Sequence, residues 1–336
     1  MRAMLLRTPG PIATRPLHAV DRAAPEPGPG ELLVRVEACG VCRTDLHVVE
    51  GELPPARAEI VPGHQIVGRV ERCGPDVTGW RHGDRVGVAW LHRACGACRF
   101  CVRGDENLCE APRFTGWHVD GGFAELAVAP ADFVYALGDA LPAREIAPLL
   151  CAGIIGLRAY ERSRIRPGGR LGLWGFGASA HIVIQIARHH GCEVYAFSRA
   201  PEHAAFARSL GATWAGGSRD VPPALLDAAI VFAPAGELVP TALERLDRGG
   251  TLALAGIHMS DVPALAYQRH LFQERTVTSV TANTRADGRA LLALAAQIPI
   301  RTATTLYPLE RANEALADLA TDRVRGAAVL AISQGA

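Results

Sequence analysis

GGRLGLWGFGASAHIVIQIARHHG, residues 168–191, passes from an apolar strand through a glycine turn into a run of helical period that stops at Gly191. Gly175, Gly177 and Ala180 fit G-x-G-x-x-[GA] across that turn, with Ala178 inside it. Gly175 permits the tight turn, Gly177 lets a pyrophosphate approach backbone N–H groups at the helix N-terminus, and Ala180 is small enough for close helix–strand packing. A lone match would be weak, because glycine turns between strands and helices are common. Its place inside a βαβ unit gives it weight.

The same alternation continues outward. CEVYAFSR (192–199) reads as a strand, PEHAAFARSLG (201–211) as a helix and DAAIVFAPA (227–235) as a strand. ELVPTALERLDRGG (237–250) then reads as a helix, GGTLALAGIH (249–258) as a strand, and past about residue 285 two helical segments precede a last strand, GAAVLAI. Strands alternating with helices of this length predict a parallel, doubly wound sheet. The first 150 residues have another texture. ELLVRVEACG, IVGRVERCG, DRVGVAW and GGFAELAVAP are β-rich segments separated by Gly/Pro punctuation, with little helical period.

Composition sets bounds. A chain of 336 residues has room for about two domains with buried cores. A net charge of +1 gives no electrostatic reason to expect nucleic acid or an anionic membrane. All 35 basic residues are arginine, so a bound anion must be met by arginine, histidine or backbone N–H groups. No charged-then-apolar leader and no long apolar run is read, which predicts a cytoplasmic protein. Nine cysteines, an odd number with four crowded together, favour metal binding over a disulfide framework.

CGACRFCVRGDENLC places Cys95, Cys98, Cys101 and Cys109 in a C-x2-C-x2-C-x7-C array. Four thiolates this close can wrap one tetrahedral zinc in a closed site, and an iron–sulfur cluster is the competing reading. EACGVCRTDLH (37–47) is less decided. Its C-x2-C pair, Cys39 and Cys42, fits a redox dithiol, half a zinc knuckle, or a site where one cysteine matters. Choice of dinucleotide turns on the strand after the glycine turn. Where an acid would bind a free ribose 2′-hydroxyl, this chain has Ser198 and Arg199. Without the carboxylate, and with an arginine able to pair bidentately, a 2′-phosphate is accommodated, so NADP(H) is expected ahead of NAD(H).

CGVCRTDLH, PGHQIVG, the four-cysteine lobe and GFGASA occur in the order and spacing of the zinc-containing medium-chain alcohol dehydrogenases, which the chain resembles along essentially its whole length. The resemblance implies an α/β protein: a β-rich GroES-like catalytic domain over 1–150, with a zinc lobe at about 92–112, and a Rossmann domain over 151–285. A C-terminal segment, 286–336, would return to the catalytic domain. It implies two zinc ions per chain. Cys42, His64 and Cys151 match the catalytic ligands, and Cys95, Cys98, Cys101 and Cys109 the structural ones. Thr44 matches the hydroxyl that takes the alcohol proton, His47 the far end of the relay to solvent, and Asp45 the carboxylate that orients a ligating histidine. Gly256, near the end of the segment 249–258, matches a further cofactor contact. Trp90, Leu91 and Trp117 match the substrate pocket, where two indoles suit an aliphatic or aromatic alcohol or aldehyde. His118 and residues 265–271 are further candidates there.

One departure is Gln65, where the family usually has glutamate after the ligand histidine. A neutral amide is a weaker donor to the metal, which puts that glutamate's part in ligand exchange in doubt. The resemblance also implies a homodimer or homotetramer joined at the edge of the nucleotide-binding sheet, through TLALAGIHMSD and FQERTVTSVTANTR. Three other readings stay open at this level: an NAD-preferring alcohol dehydrogenase, a zinc-containing enone reductase, and a silent zinc-stabilised binding protein.

Overall fold

In the computed structural model, which describes residues 1–333, the stretch 168–191 forms the strand Arg170–Trp174 and the helix Ala178–His189. Gly175 joins them at φ +86°, the left-handed region that favours glycine, and a Cβ there would meet the Ala233 backbone nitrogen at 2.9 Å. Trp174 and every residue of Leu171–Leu173 are buried, as expected of a strand covered on both faces.

Six strands form one parallel sheet. In spatial order they are Trp214–Gly216, Glu193–Phe197, Arg170–Trp174, Leu226–Val231, Leu246–Leu254 and Thr276–Ser279. Numbered along the chain this order is 3-2-1-4-5-6, the doubly wound dinucleotide-binding order, which reverses between Arg170–Trp174 and Leu226–Val231. The glycine turn lies at the carboxyl end of the first of these strands, beside that reversal. The helix expected over 237–250 is shorter. It spans Leu238–Arg245, and Leu246 turns extended (ψ 141°), buries its side chain and pairs with Leu226 as the start of the next strand. Burial of Leu246 in the sheet outweighs the helical period that carried the expectation past it.

A second sheet has seven strands: in spatial order Thr304–Pro308, Ala327–Ala331, Glu31–Val41, Gln65–Cys73, Arg85–Val88 and Val134–Ala136, with Leu126–Pro130 also paired to Glu31–Val41. Its pairings are antiparallel apart from Thr304–Pro308 with Ala327–Ala331. Its core gathers Leu32, Val34, Val36, Ile66, Val86, Val88 and Phe123 from several of these segments. The chain divides into two compact units, one made of residues 1–151, 282–292 and 302 onward, the other of 152–281 and 293–301.

The β-rich half holds a helix that its texture did not suggest. Arg43–Glu50 is helical, ended by Gly51 in the left-handed region at φ 83°. Asp45, at the third helical position, accepts the N–H of the N-cap residue Cys42 at 2.9 Å. That reciprocal cap starts a helix only eight residues long, too short for its apolar face to stand out among the β-rich segments.

Candidate active site

Antiparallel pairing of Glu31–Val41 with Gln65–Cys73 sets Gly40 opposite Gln65. Cys42, just past the first strand, and His64, just before the second, therefore emerge at the same end of the pair. Cys151 follows a short turn of helix, Ala147–Leu150, that packs against both strands. The ligand atoms of Cys42, His64 and Cys151 all lie within 4.8 Å of one another.

His64 is fully buried, and each ring nitrogen has a defined neighbour. Nδ1 lies 2.9 Å from Asp45 Oδ1, and Nε2 lies 3.5 Å from Cys42 Sγ. With Zn–S of about 2.3 Å and Zn–N of about 2.05 Å, two donors on one tetrahedral zinc stand about 3.6 Å apart. The donor set (two thiols and an imidazole) and the spacing fit that metal, with one coordination position left for another group. Burial alone would lower the His64 imidazole, but the Asp45 carboxylate and the Cys42 thiolate outweigh it and raise it to about 10. The Cys151 thiol donates to Cys42 and, against burial, holds that thiol well below its ordinary value, helped by His64 and the Thr44 hydroxyl. Cys151, as the donor in that pair and a buried group, is pushed up. The negative charge thus concentrates on Cys42 and Asp45, on either side of the imidazole, where a cation is attracted.

Asp45 is itself buried with both oxygens engaged: it accepts from Cys42 N–H, from Gly63 N–H at 3.2 Å and faces His64 Nδ1. Burial raises its carboxyl above the usual range despite the adjacent His64. Cys39 takes no part in this group. It is buried with its thiol toward the Gly40 carbonyl, and burial, with the Asp45 charge, pushes it well above the ordinary thiol value. Cys42 joins His64 and Cys151 and Cys39 does not, which favours the reading in which one cysteine of the pair matters.

Thr44 is buried in the first turn of Arg43–Glu50, and His47, one turn on, pairs its Nδ1 with Glu52. The His47 side chain is 12% exposed and that of Glu52 45%, so the pair reaches from the buried turn to the surface. Glu52 was not anticipated from sequence; an acid shortly after a helix-borne histidine was the available signal. Gln65 is buried over Gly40, where a Cβ would meet its Oε1 at 2.6 Å, and its Nε2 has no hydrogen-bond partner among the described residues.

An aromatic wall stands beside the metal group. Trp90 meets His64 edge-on at 5.0 Å and stacks on Phe114 (4.9 Å, 13° between planes) and, further off, on Trp117 (6.1 Å, 4°). Leu91, buried, pairs with Phe114 across a short two-stranded sheet. Trp117 donates its indole N–H to the Pro54 carbonyl, and His118 packs edge-on against it at 4.2 Å. Phe114 escaped the sequence reading, although the spacing Phe114-x-x-Trp117 was visible. Of residues 265–271, Leu265 and Leu271 pack against the core of the parallel-sheet unit.

The four remaining candidate ligands form a separate cluster, again within 4.8 Å of one another. Cys98 and Cys101 sulfurs are 3.6 Å apart and those of Cys95 and Cys101 3.8 Å, against about 3.8 Å for two thiolates on one tetrahedral zinc. Backbone N–H groups of Cys98 and Ala111 point at Cys95 and Cys109 sulfurs, at 3.3 and 3.4 Å. Backbone donors of this kind favour thiolate, and those at Cys98 lower its thiol to about 6. The lobe is tied down by Glu106, which accepts from Arg285 N–H at 3.0 Å and from its guanidinium at 2.8 Å.

In the parallel-sheet unit, Gly177 caps Ala178–His189 with open space where a side chain would lie, and Ala180 is fully buried. Ser198 is nearly buried and accepts from Ala200 N–H, while Arg199 is exposed. Gly256 lies just past the strand Leu246–Leu254.

Comparison with known proteins agrees with this geometry. The family described as "Alcohol dehydrogenase GroES-like domain" matches residues 28–139, and "Zinc-binding dehydrogenase" matches 180–297. A probable alcohol dehydrogenase of Mycobacterium tuberculosis is 53% identical over 99% of this chain and 97% of its own length. Among solved structures, a cinnamyl alcohol dehydrogenase of Sorghum bicolor superposes with a TM-score of 0.90 at 27% identity, covering 100% of this chain and 98% of that one. A cobalt- and zinc-bound thermostable alcohol dehydrogenase of Pyrobaculum aerophilum reaches 0.89 at 30% identity, with 99% of each chain covered.

Proposed function

The chain belongs to the zinc-containing medium-chain alcohol dehydrogenase family, and on that premise we propose that Cys42, His64 and Cys151 hold its catalytic zinc and Cys95, Cys98, Cys101 and Cys109 a structural one. It is an alcohol oxidoreductase that uses zinc and a nicotinamide cofactor. The observation that carries the ligand assignment is the double engagement of His64: Nδ1 on Asp45 at 2.9 Å, Nε2 facing Cys42 Sγ at 3.5 Å.

Bound at those three residues, zinc supplies Lewis acidity toward an alcohol or carbonyl oxygen, and the dinucleotide at the glycine turn carries the hydride. The remaining work belongs to side chains. Asp45 fixes the His64 tautomer, leaving Nε2 as the donor to metal. Thr44 Oγ exchanges the proton of the reacting hydroxyl. His47, held by Glu52, passes that proton to solvent. Trp90, Phe114 and Trp117 exclude water on one side and favour an apolar or aromatic substrate. The name of the Sorghum relative, a cinnamyl alcohol dehydrogenase, suits that wall.

Gly175, Gly177, Ala178, Ala180 and Gly256 cradle the dinucleotide in this reading, and Ser198 with Arg199 favours the 2′-phosphate of NADP(H). In this reading 1–150 is the catalytic domain, 151–285 the nucleotide-binding domain and 286–336 the returning segment, although by compactness 282–292 groups with the catalytic unit and 293–301 with the parallel-sheet unit. Cytoplasmic action is part of this proposal, supported by cysteines clustered as metal ligands rather than paired in disulfides. Among the described residues no helix is long and apolar enough to cross a membrane. Copies of the chain associate as a dimer or tetramer through the open edge of Thr276–Ser279, where Val277 is 37% exposed.

Aliphatic, benzylic and cinnamyl alcohols and aldehydes, assayed with each cofactor on protein of measured zinc content, test the proposal. Two zinc atoms per chain and a higher kcat/KM with NADPH than with NADH are expected. An NADH preference rejects the reading of Arg199, and one zinc per chain rejects one of the two sites.

A further inference from the structure

A cavity of about 490 Å³ opens in the catalytic unit, and none of the metal ligands, relay residues or aromatic-wall residues lines it. Its floor is Val134–Ala136, the outer strand of the seven-stranded sheet, whose free edge is turned away from Arg85–Val88. Trp80 and Leu292 supply apolar walls, and Asp132, Arg285 and Arg289 the charges. We propose that this cavity binds a small monocarboxylate with an aromatic or apolar body.

Size and lining come first. The volume falls within the roughly 300–1,000 Å³ of small-molecule sites, which are mostly apolar with a few placed polar groups. An indole with an arginine nearby suits a flat ring that carries an acid. The charge argument separates the two arginines, which stand one turn apart on the helix Arg285–Gln297. Arg285 is committed: its guanidinium binds Glu106 and the Asp132 carbonyl and lies over the Phe133 ring at 4.4 Å. Arg289 is exposed and, among the described residues, its charge is felt by Glu106 and the lining Tyr135 without a direct ion pair to either. A planar guanidinium with five N–H donors and no acceptor is complementary to a carboxylate.

The same surroundings disfavour larger anions. Thr284 N–H donates to Asp287 at 2.7 Å and Asp287 N–H to the Thr284 hydroxyl at 3.1 Å, so two of the helix's N-terminal N–H groups are already engaged by this cap rather than offered to a phosphate. Asp132 on the cavity wall repels a second negative charge. One unpaired arginine, one lining acid with Glu106 nearby, the Tyr135 phenol and an apolar wall select a singly charged, amphipathic acid. This inference does not depend on the zinc or cofactor assignments.

Calorimetric titration of the zinc-loaded protein with benzoate, benzamide and inorganic phosphate tests it. Benzoate should bind, benzamide and phosphate should bind more weakly, and Arg289→Gln should weaken benzoate about tenfold, the loss of one charge-assisted pair. Trp80→Leu should weaken benzoate and benzamide together. Alcohol turnover by both variants should match the parent, which shows that they fold. Benzoate binding unchanged by Arg289→Gln puts the ligand elsewhere, at a metal centre for example, and overturns the proposal. So does the absence of benzoate binding to the parent. Phosphate binding as tightly as benzoate overturns the ligand class.

Discussion

Asp45 carries two duties that a single substitution can separate. One oxygen caps the helix Arg43–Glu50 through Cys42 N–H, and the other orients the imidazole of His64. Asp45→Asn keeps the size and an acceptor but loses the charge, so zinc affinity at the catalytic site should fall about 10–100-fold. Competition with a chromogenic chelator measures it, and an unchanged affinity removes Asp45 from that role. Asp45→Ala should in addition destabilise the protein by about 1 kcal/mol through the lost cap. Cys42→Ala leaves two ligands: zinc content should fall from two atoms per chain to one, with turnover lost and the four-cysteine lobe still loaded. Turnover that survives would refute Cys42 as a ligand. At this scale the sequence was readable only in part. C-R-T-D-L-H displayed the residue types, but Asp45 was legible as a partner of His64 through family resemblance alone, because they are far apart in sequence and meet only after strand pairing.

At the scale of the element, the glycine turn was the best-read part of the chain. Apolar strand, G-x-G-x-x-A and helical period are local features, and the structure reproduces them residue by residue. Gly175→Ala should therefore be costly. The left-handed φ of +86° costs an alanine about 1–2 kcal/mol, and its Cβ meets the Ala233 nitrogen at 2.9 Å. A lowered Tm with a raised KM for the dinucleotide is expected, and a variant with the parent's Tm would show that this turn carries no strain. Where elements were misjudged, tertiary burial had overruled local period. Leu246 continues a helical pattern yet enters the sheet, and Arg43–Glu50, too short for its apolar face of Leu46, Val48 and Val49 to stand out in a β-rich stretch, is held by its cap and that burial.

Across the whole molecule, burial sets the response to pH. His181 lies in the first turns of the nucleotide helix, fully buried, and burial lowers its imidazole to about 4 from an ordinary 6.5. The unfolded chain binds a proton that the folded chain refuses. Stability from this group is complete above about pH 6.5 and is lost as pH falls through that window toward 4, amounting to about 3 kcal/mol at most. In His181→Gln the acid-side fall in Tm should be shallower than in the parent. Parallel curves for the two proteins would exclude His181 as a source of the slope.

The linear chain carries what depends on neighbours in sequence: the four crowded cysteines, the glycine turn between strand and helix, and the alternation that builds a parallel sheet. These need only short-range geometry, since closely spaced thiols and one strand–turn–helix unit hold their chemistry within a few residues. Folding alone decides that Phe114 completes the stack on Trp90 and that Arg285 anchors the lobe through Glu106. Each of those is a contact made by strand register or by a returning segment, and register is fixed by burying one face of a whole strand, a property no short stretch contains.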